Sequence, residues 1–290
     1  PLPSVMTVST FQGTHSPTLI PDRDPTPVPP GFLAALSESN SPRGRTDLAE
    51  WIGNPDNPLT TRVIVNRIWQ QHFGEGLVAT ANDFGRKGSP PSHPELLDWL
   101  AREFVDQGWS FKQLHRLILT SATWQQSSQH PKAHDYQEID PEEKLLWRAR
   151  VQRLSAEAIR DSMLFLSGEL IEQVGGPSVV EEMPRRALYV KRLRNANGTF
   201  LHAFDIAPGL KSVAVRNSTT TPTQSLTMIN GDYPMGRAEK WATRLLGDSH
   251  EGPVEILKRA MRSAWGRPAT DDELERALNF VGDEPASGKL

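Results

Sequence analysis

A chain of 290 residues with a formal net charge of −3 and no cysteine is long enough for one large domain or two ordinary ones, and either can bury a sizeable core. The slightly acidic balance argues against a whole-chain nucleic-acid binder. The missing cysteines exclude disulfides, thiolate chemistry, Cys-ligated zinc and a covalently attached c-type haem, so no cofactor is expected in this chain.

The chain opens "PLPSVMTVST", with neither an initiator Met nor a signal-peptide pattern, and reads as a processed product or an excised piece of something longer. Residues 1–45 hold nine of the 24 prolines. Proline fixes φ and removes a donor, so the expectation is an extended arm or linker with short strands at most, near Val5–Thr10 and Thr18–Ile20.

From Asp47 the pattern turns helical. "DLAEWIG" has Asp47 and Glu50 at capping-box spacing and stops at Gly53. Asn57 and Pro58 start the next helix, which carries Val65, Ile68, Trp69 and His72 on one face and stops at Gly74. "HPELLDWLAREFVDQG" and "SFKQLHRLILTSATW" follow. A polar loop over 125–138 marks a sub-boundary, and Asp140-Pro141 opens a helix through Arg150. Ser155 caps a helix running to Gly175-Gly176-Pro177, and "ALYVKRL" (187–193) has the β-branched and aromatic clustering of a strand. Helices are expected near 223–230, 233–247 and 253–265, and last over 270–281, where Thr270 and Glu273 make a capping box. The predicted fold is mainly α. A multi-helix body spans 46–290, with an extended Pro-rich arm over 1–45 and a minor β element around 187–193. No stretch approaches the ~18 consecutive apolar residues of a membrane span.

Chemistry-bearing residues concentrate in "NDFGRKGSPPSHPELLDWLA", Asn82 to Ala101. Ser92 and Glu95 have capping-box spacing and Pro94 suits a first turn, so most of the stretch reads as a turn that starts a helix. Asp83, Arg86 and His93 are left over. His93 at a positive helix end favours a neutral base, Asp83 could orient it, and Arg86 could hold an anion. Arg62 and Arg67 could grip a carboxylate or sulfate from the preceding helix, or tie it to loops. The "DFG" at 83–85 lacks every other kinase element. His130 and His134 are four apart but sit beside Pro131 in a polar setting, which reads as a solvated loop and not a metal site.

Charge is unevenly spread. Between Glu182 and Asp232 only Asp205 is acidic, against Arg185, Arg186, Lys191, Arg192, Arg194, Lys211 and Arg216. That segment is +6 and the remainder −9. A one-signed field focuses anions, though a basic face neutralised by acidic helices of the same chain has the same composition. "RNSTTTPTQSLTMIN" (216–230) suits turns and a helix cap better than sugar recognition.

The run "LAEWIGNPDNPLTTRVIVNRIWQQHFGEGLVATANDFGRKGSPPSHPELLDWLAREFVDQGWSFKQLHRLILTSATWQQSS" resembles the signature region of the planctomycete-specific PSD domain. "RLSAEAIRDSMLFLSGEL", "GGPSV", "RRALYV", "NSTTTPTQSLTMIN" and "GRPATDDELERAL" follow in that domain's order, so the resemblance covers about residues 30–281. Trp124 stands where the family pattern often has Tyr, which weakens any phenolic acid there. The resemblance implies the C-terminal part of a large exported, extracytoplasmic protein, with upstream domains that include a cytochrome-c-like one. It supplies no activity.

Two readings of function stay open. One is an accessory or binding module, docking an anionic polysaccharide or a neighbouring domain through a basic face that includes Arg185, Arg192 and Arg194. The other is an enzyme, a polysaccharide hydrolase or lyase or a redox enzyme, with Asp83 and His93 as the acid–base pair and Arg62, Arg67 and Arg86 holding substrate charge.

Overall fold

The computed structural model describes residues 18–20, 24–28, 32, 44–193, 199–207, 213–247 and 251–282. The chain divides into two units, Pro1–Gln152 and Arg153–Leu290. Its architecture is mainly helical, and no helix among the described residues is long and apolar enough to cross a membrane.

In the first unit the arm contributes an antiparallel pair, β1 (Thr18–Ile20) and β2 (Asp24–Val28). The strand expected at Val5–Thr10 lies outside the described residues. Five helices follow: α1 (Arg45–Gly53), α2 (Pro58–Phe73), α3 (Pro94–Asp106), α4 (Phe111–Leu119) and α5 (Ala133–Ile139). Asn57 caps α2 as its sequence implies, its side chain accepting from Leu59 N and Thr60 N. The apolar stripes of three helices meet in one core. Val65, Ile68 and Trp69 of α2 pack with Leu97, Leu100 and Phe104 of α3 and with Leu114 and Ile118 of α4.

Inside that core sits Asn66, fully buried. Its amide Nδ2 donates to Val78 O at 3.0 Å and its Oδ1 accepts from Val78 N at 2.8 Å. A buried backbone pair must be hydrogen-bonded, and here a side chain takes the role of a strand. The loop after α2 is thereby fixed to the helix it has just left.

Three expectations change in this unit. Asp47 does not cap α1: the cap lies three residues earlier, at Gly44, with no side-chain cap bond. The polar segment expected as loop forms α5, with His134 and Glu138 paired at i,i+4. His130 closes the turn before it by accepting from Lys132 N. The helix expected over 141–150 is absent. Buried Asp140 takes the amides of Lys144 and Leu145 on its carboxylate, and Glu143 and Leu146 adopt φ of 55° and 57°, which a right-handed helix cannot contain.

The second unit holds α6 (Ala156–Ser167), α7 (Thr199–Ala203), α8 (Pro222–Asn230), α9 (Asp232–Gly247), α10 (Pro253–Trp265) and α11 (Asp271–Val281). Ser155 caps α6 through Ala158 N. The helix ends earlier than its pattern suggests, at Ser167, because Gly168 turns left-handed at φ 77°. The hydroxyl-rich stretch is a helix start: Thr221 and Gln224 form a reciprocal capping box.

Between α6 and α7 the chain is irregular, and buried arginines organise it. Arg160, fully buried on α6, donates to Glu181 O, Met183 O and Arg185 O at 2.6, 2.7 and 2.8 Å. Arg185 is itself only 4% exposed; it donates to Gln173 O, Gly175 O and Pro177 O and stacks on Tyr189 at 4.1 Å. The β element near 187–193 is small. A 3-10 turn (Ala187–Tyr189) leads into an isolated bridge, Val179 with Val190, where the residue pattern alone suggests a strand. Tyr189 O and Lys191 N both bond to Val179, so that bridge rests on a single residue of the opposing segment.

Arg160→Met keeps much of the side-chain volume but removes the donor for three buried carbonyls. Urea unfolding of the second unit should show a loss of about 3–5 kcal/mol, and a loss below about 1 kcal/mol would refute this role. In the first unit, Asn66→Leu should cost about 1–3 kcal/mol for each orphaned Val78 group, read the same way.

At the start of α11, hydrogen bonds from Arg267, then from the Thr270 backbone, hold the Glu273 carboxyl at about 2 against an ordinary 4.5. A depressed carboxyl contributes stability that is complete above its unfolded value and is lost as pH falls through its folded value. The Glu273 anchor should therefore persist well below pH 4.5 and vanish near 2, with an NMR titration midpoint to match. A midpoint at the ordinary value would contradict it.

Candidate functional site

The Asn82–Ala101 stretch is held mainly by its own turn chemistry. Thr80 Oγ1 donates to Asp83 O at 2.7 Å and accepts from Ser89 N at 2.9 Å, while Asp83 Oδ1 accepts from Gly85 N at 2.8 Å. A Cβ on Gly88 would stand 2.0 Å from Asp83 O, so only glycine lets the loop close. Ser92 and Glu95 do not form the expected capping box. Both N and Oγ of Ser92 donate to Leu77 O, which draws the hydroxyl away from the helix and leaves His93 at the cap position. His93 Nδ1 lies 3.0 Å from Ser92 Oγ.

Among the described residues no hydrogen bond or ion pair links Asp83, Arg86 and His93. Asp83 is engaged in its turn, and Arg86 is exposed. Arg62 donates to Asp98 Oδ1 at 2.7 Å and to Pro58 O at 3.1 Å, tying α2 to α3. That bond holds the Asp98 carboxyl below the usual range. Arg67 donates to Asn82 Oδ1. The two arginines thus serve helix and loop contacts. A hollow of about 490 Å3 between α3 and α4 is lined by none of these predicted residues.

The sequence reading missed a different pair. His72 at the end of α2 and His115 on α4 place Nε2 and Nδ1 only 2.7 Å apart, with Trp124 6.4 Å from the His72 ring. Burial, then the neighbouring His115, pushes the His72 pKa down. The helical periodicity puts His72 on the buried face, but nothing local announces its partner 43 residues on.

In the second unit the basic segment separates into two populations. Arg185 turns inward, as described above. Arg186, Arg192 and Arg216 line a groove of about 750 Å3 bordered by α6, the 3-10 turn and the end of α10. Arg194 lies outside the described residues. The groove's remaining surface is largely apolar, including Phe165, Leu166, Leu170, Leu188 and Ile206, of which Phe165 and Leu188 are 58% and 78% exposed.

Two carboxylates position the arginines. Asp161 accepts from Ala187 N at 2.7 Å and approaches Arg186 Nε at 3.5 Å. Glu157 receives both oxygens' bonds from Arg216, at 2.8 and 2.9 Å. Burial alone would raise the Glu157 carboxyl, but the hydrogen bond from Arg216 and its own backbone amide leave it lowered. Arg192 donates to Ala207 O. Three cations against two anions leave the groove net positive, with exposed guanidinium edges beside an apolar floor. Such an arrangement can bind an anion that also carries apolar groups.

No curated protein and no solved structure matches the chain. A family does match, over residues 44–281, and with that span the chain belongs to the PSD1 family, a protein family of unknown function (DUF1553).

Proposed function

We propose that the chain is a binding module whose second-unit groove docks an acidic segment of a neighbouring domain. The observation that carries this reading is the placement of Arg186, Arg192 and Arg216 around an apolar floor. A heavily hydrated anionic glycan would use the arginines and could lay a sugar face on Phe165, but it would leave the aliphatic Leu188 without an apolar partner. An acidic peptide with interspersed apolar side chains uses both, burying area worth roughly 25 cal/mol per Å2 alongside its charge contacts. The family resemblance suggests where such a segment resides: in an upstream domain of the same exported polypeptide, a cytochrome-c-like one among them. The enzyme reading has less support, because Asp83 is engaged in its own turn and no hydrogen bond or ion pair among the described residues gathers Asp83, Arg86 and His93.

Binding of a fluorescent peptide alternating Glu and Leu, followed by anisotropy, tests the proposal. Arg186→Glu with Arg192→Glu should weaken binding at least about tenfold, and added salt should weaken it in the wild type. Polyglutamate, lacking the apolar groups, should bind more weakly than the alternating peptide. Equal or tighter binding of a sulfated polysaccharide would move the assignment to glycans, and charge-reversed protein that binds unchanged would sink the groove altogether.

A further inference from the structure

We infer that His72 and His115 form a two-imidazole site for a divalent transition-metal ion of the zinc and copper class, distinct from the groove of the second unit. The inference starts from the contact itself. At 2.7 Å between His72 Nε2 and His115 Nδ1, the two ring nitrogens share one proton. Two N–H groups would collide there, and two lone pairs would repel. A metal ion in place of the proton satisfies both lone pairs at once.

The change in geometry is small. Zinc–nitrogen bonds of about 2.0–2.1 Å at a roughly tetrahedral angle hold two ligating nitrogens about 3.4 Å apart. Side-chain rotation can open the pair by that amount without moving either helix. The rings are already inclined at 68° with centroids 5.0 Å apart, so their edges converge on one point instead of stacking. Both backbones are anchored in the same core, through Ile68 and Trp69 on one side and Leu114 and Ile118 on the other. The site's framework therefore exists before any ion arrives.

The surroundings favour the ligand form. His72 is partly buried, and no carboxylate hydrogen-bonds to either imidazole among the described residues. Among the described residues, then, no Asp or Glu orients the pair as an acid–base dyad. Imidazole donors suit zinc, copper and nickel, whereas magnesium and calcium demand oxygen ligands. Among the described residues no third His, Asp or Glu joins the two, so the remaining coordination positions fall to water or to an incoming donor. A site of this kind is open and exchangeable, suited to holding a small anionic ligand on the metal.

The test uses the full chain, with Co2+ as a spectroscopic probe and Zn2+ in equilibrium dialysis. One ion should bind per chain, with ligand-field absorption in the Co2+ form. His72→Ala and His115→Ala should each lower affinity at least about tenfold, while His130→Ala with His134→Ala should not. Circular dichroism establishes that each variant is folded. Should a variant fail to fold, paramagnetic broadening by Co2+ in the wild type decides, with the His72 and His115 ring signals expected to be hit first. Absence of stoichiometric binding, binding unchanged in both variants, or broadening centred on His130 and His134 would each overturn the assignment.

Discussion

Irregular backbone can be buried only if its carbonyls find donors, and in the second unit Arg160 answers that requirement. Its guanidinium, wholly out of solvent, reaches three carbonyls between Glu181 and Arg185 and lies beside Asp161 at 3.2 Å. Asp161 in turn receives the Ala187 amide and faces Arg186. The position of the 3-10 turn, and hence of the wall of the groove, follows from that chain of contacts. A buried cation is a weak source of net stability compared with a well-packed apolar residue. Its value here is geometric: the two terminal nitrogens of a rigid fork make four bonds that define where the irregular chain must lie, while Nε is left without a partner.

The first unit solves the same problem with a neutral group. Asn66 closes both Val78 backbone bonds, and the loop following α2 cannot lift away without leaving buried polar atoms unpaired. This matters for the histidines. The end of α2, where His72 sits, is held further by Arg150, which pairs with Glu75 and bonds Glu142 O. Rigid supports at both ends of the contact keep the two imidazoles edge to edge. A loosely held pair would rotate apart into solvent and lose the convergence of lone pairs.

Charge in the second unit illustrates how one composition serves two physical purposes. Arg185 and Arg186 are neighbours in sequence, yet the first satisfies loop carbonyls from within and the second stands 62% exposed at the groove. Adjacent residues on extended backbone point to opposite sides, so a run of arginines necessarily divides between inside and outside. Net charge therefore overstates the field available to a ligand. The useful part is the exposed subset, reduced by the carboxylates of Glu157 and Asp161 that hold it in place.

Much of the helical framework was legible from local signals. Asn57-Pro58, Ser155 and the Thr270–Glu273 box mark helix starts because caps act within one turn of chain. The same locality explains the misreadings. Asp140 resembled a helix start until its carboxylate reached amides four and five residues on, and Ser92 resembled a cap until Leu77 O claimed its hydroxyl. Residues 187–193 have strand chemistry, but the distant segment they meet pairs through Val179 in an isolated bridge and not a ladder. The basic segment was visible as composition, while the inward turn of Arg185 and the 43-residue separation of His72 from His115 were not. By itself, then, the sequence determined helix class, most helix starts and the uneven charge, all set by interactions within a few residues. Only the tertiary structure decided which arginines face a groove and which two histidines meet, because those outcomes rest on packing between distant segments.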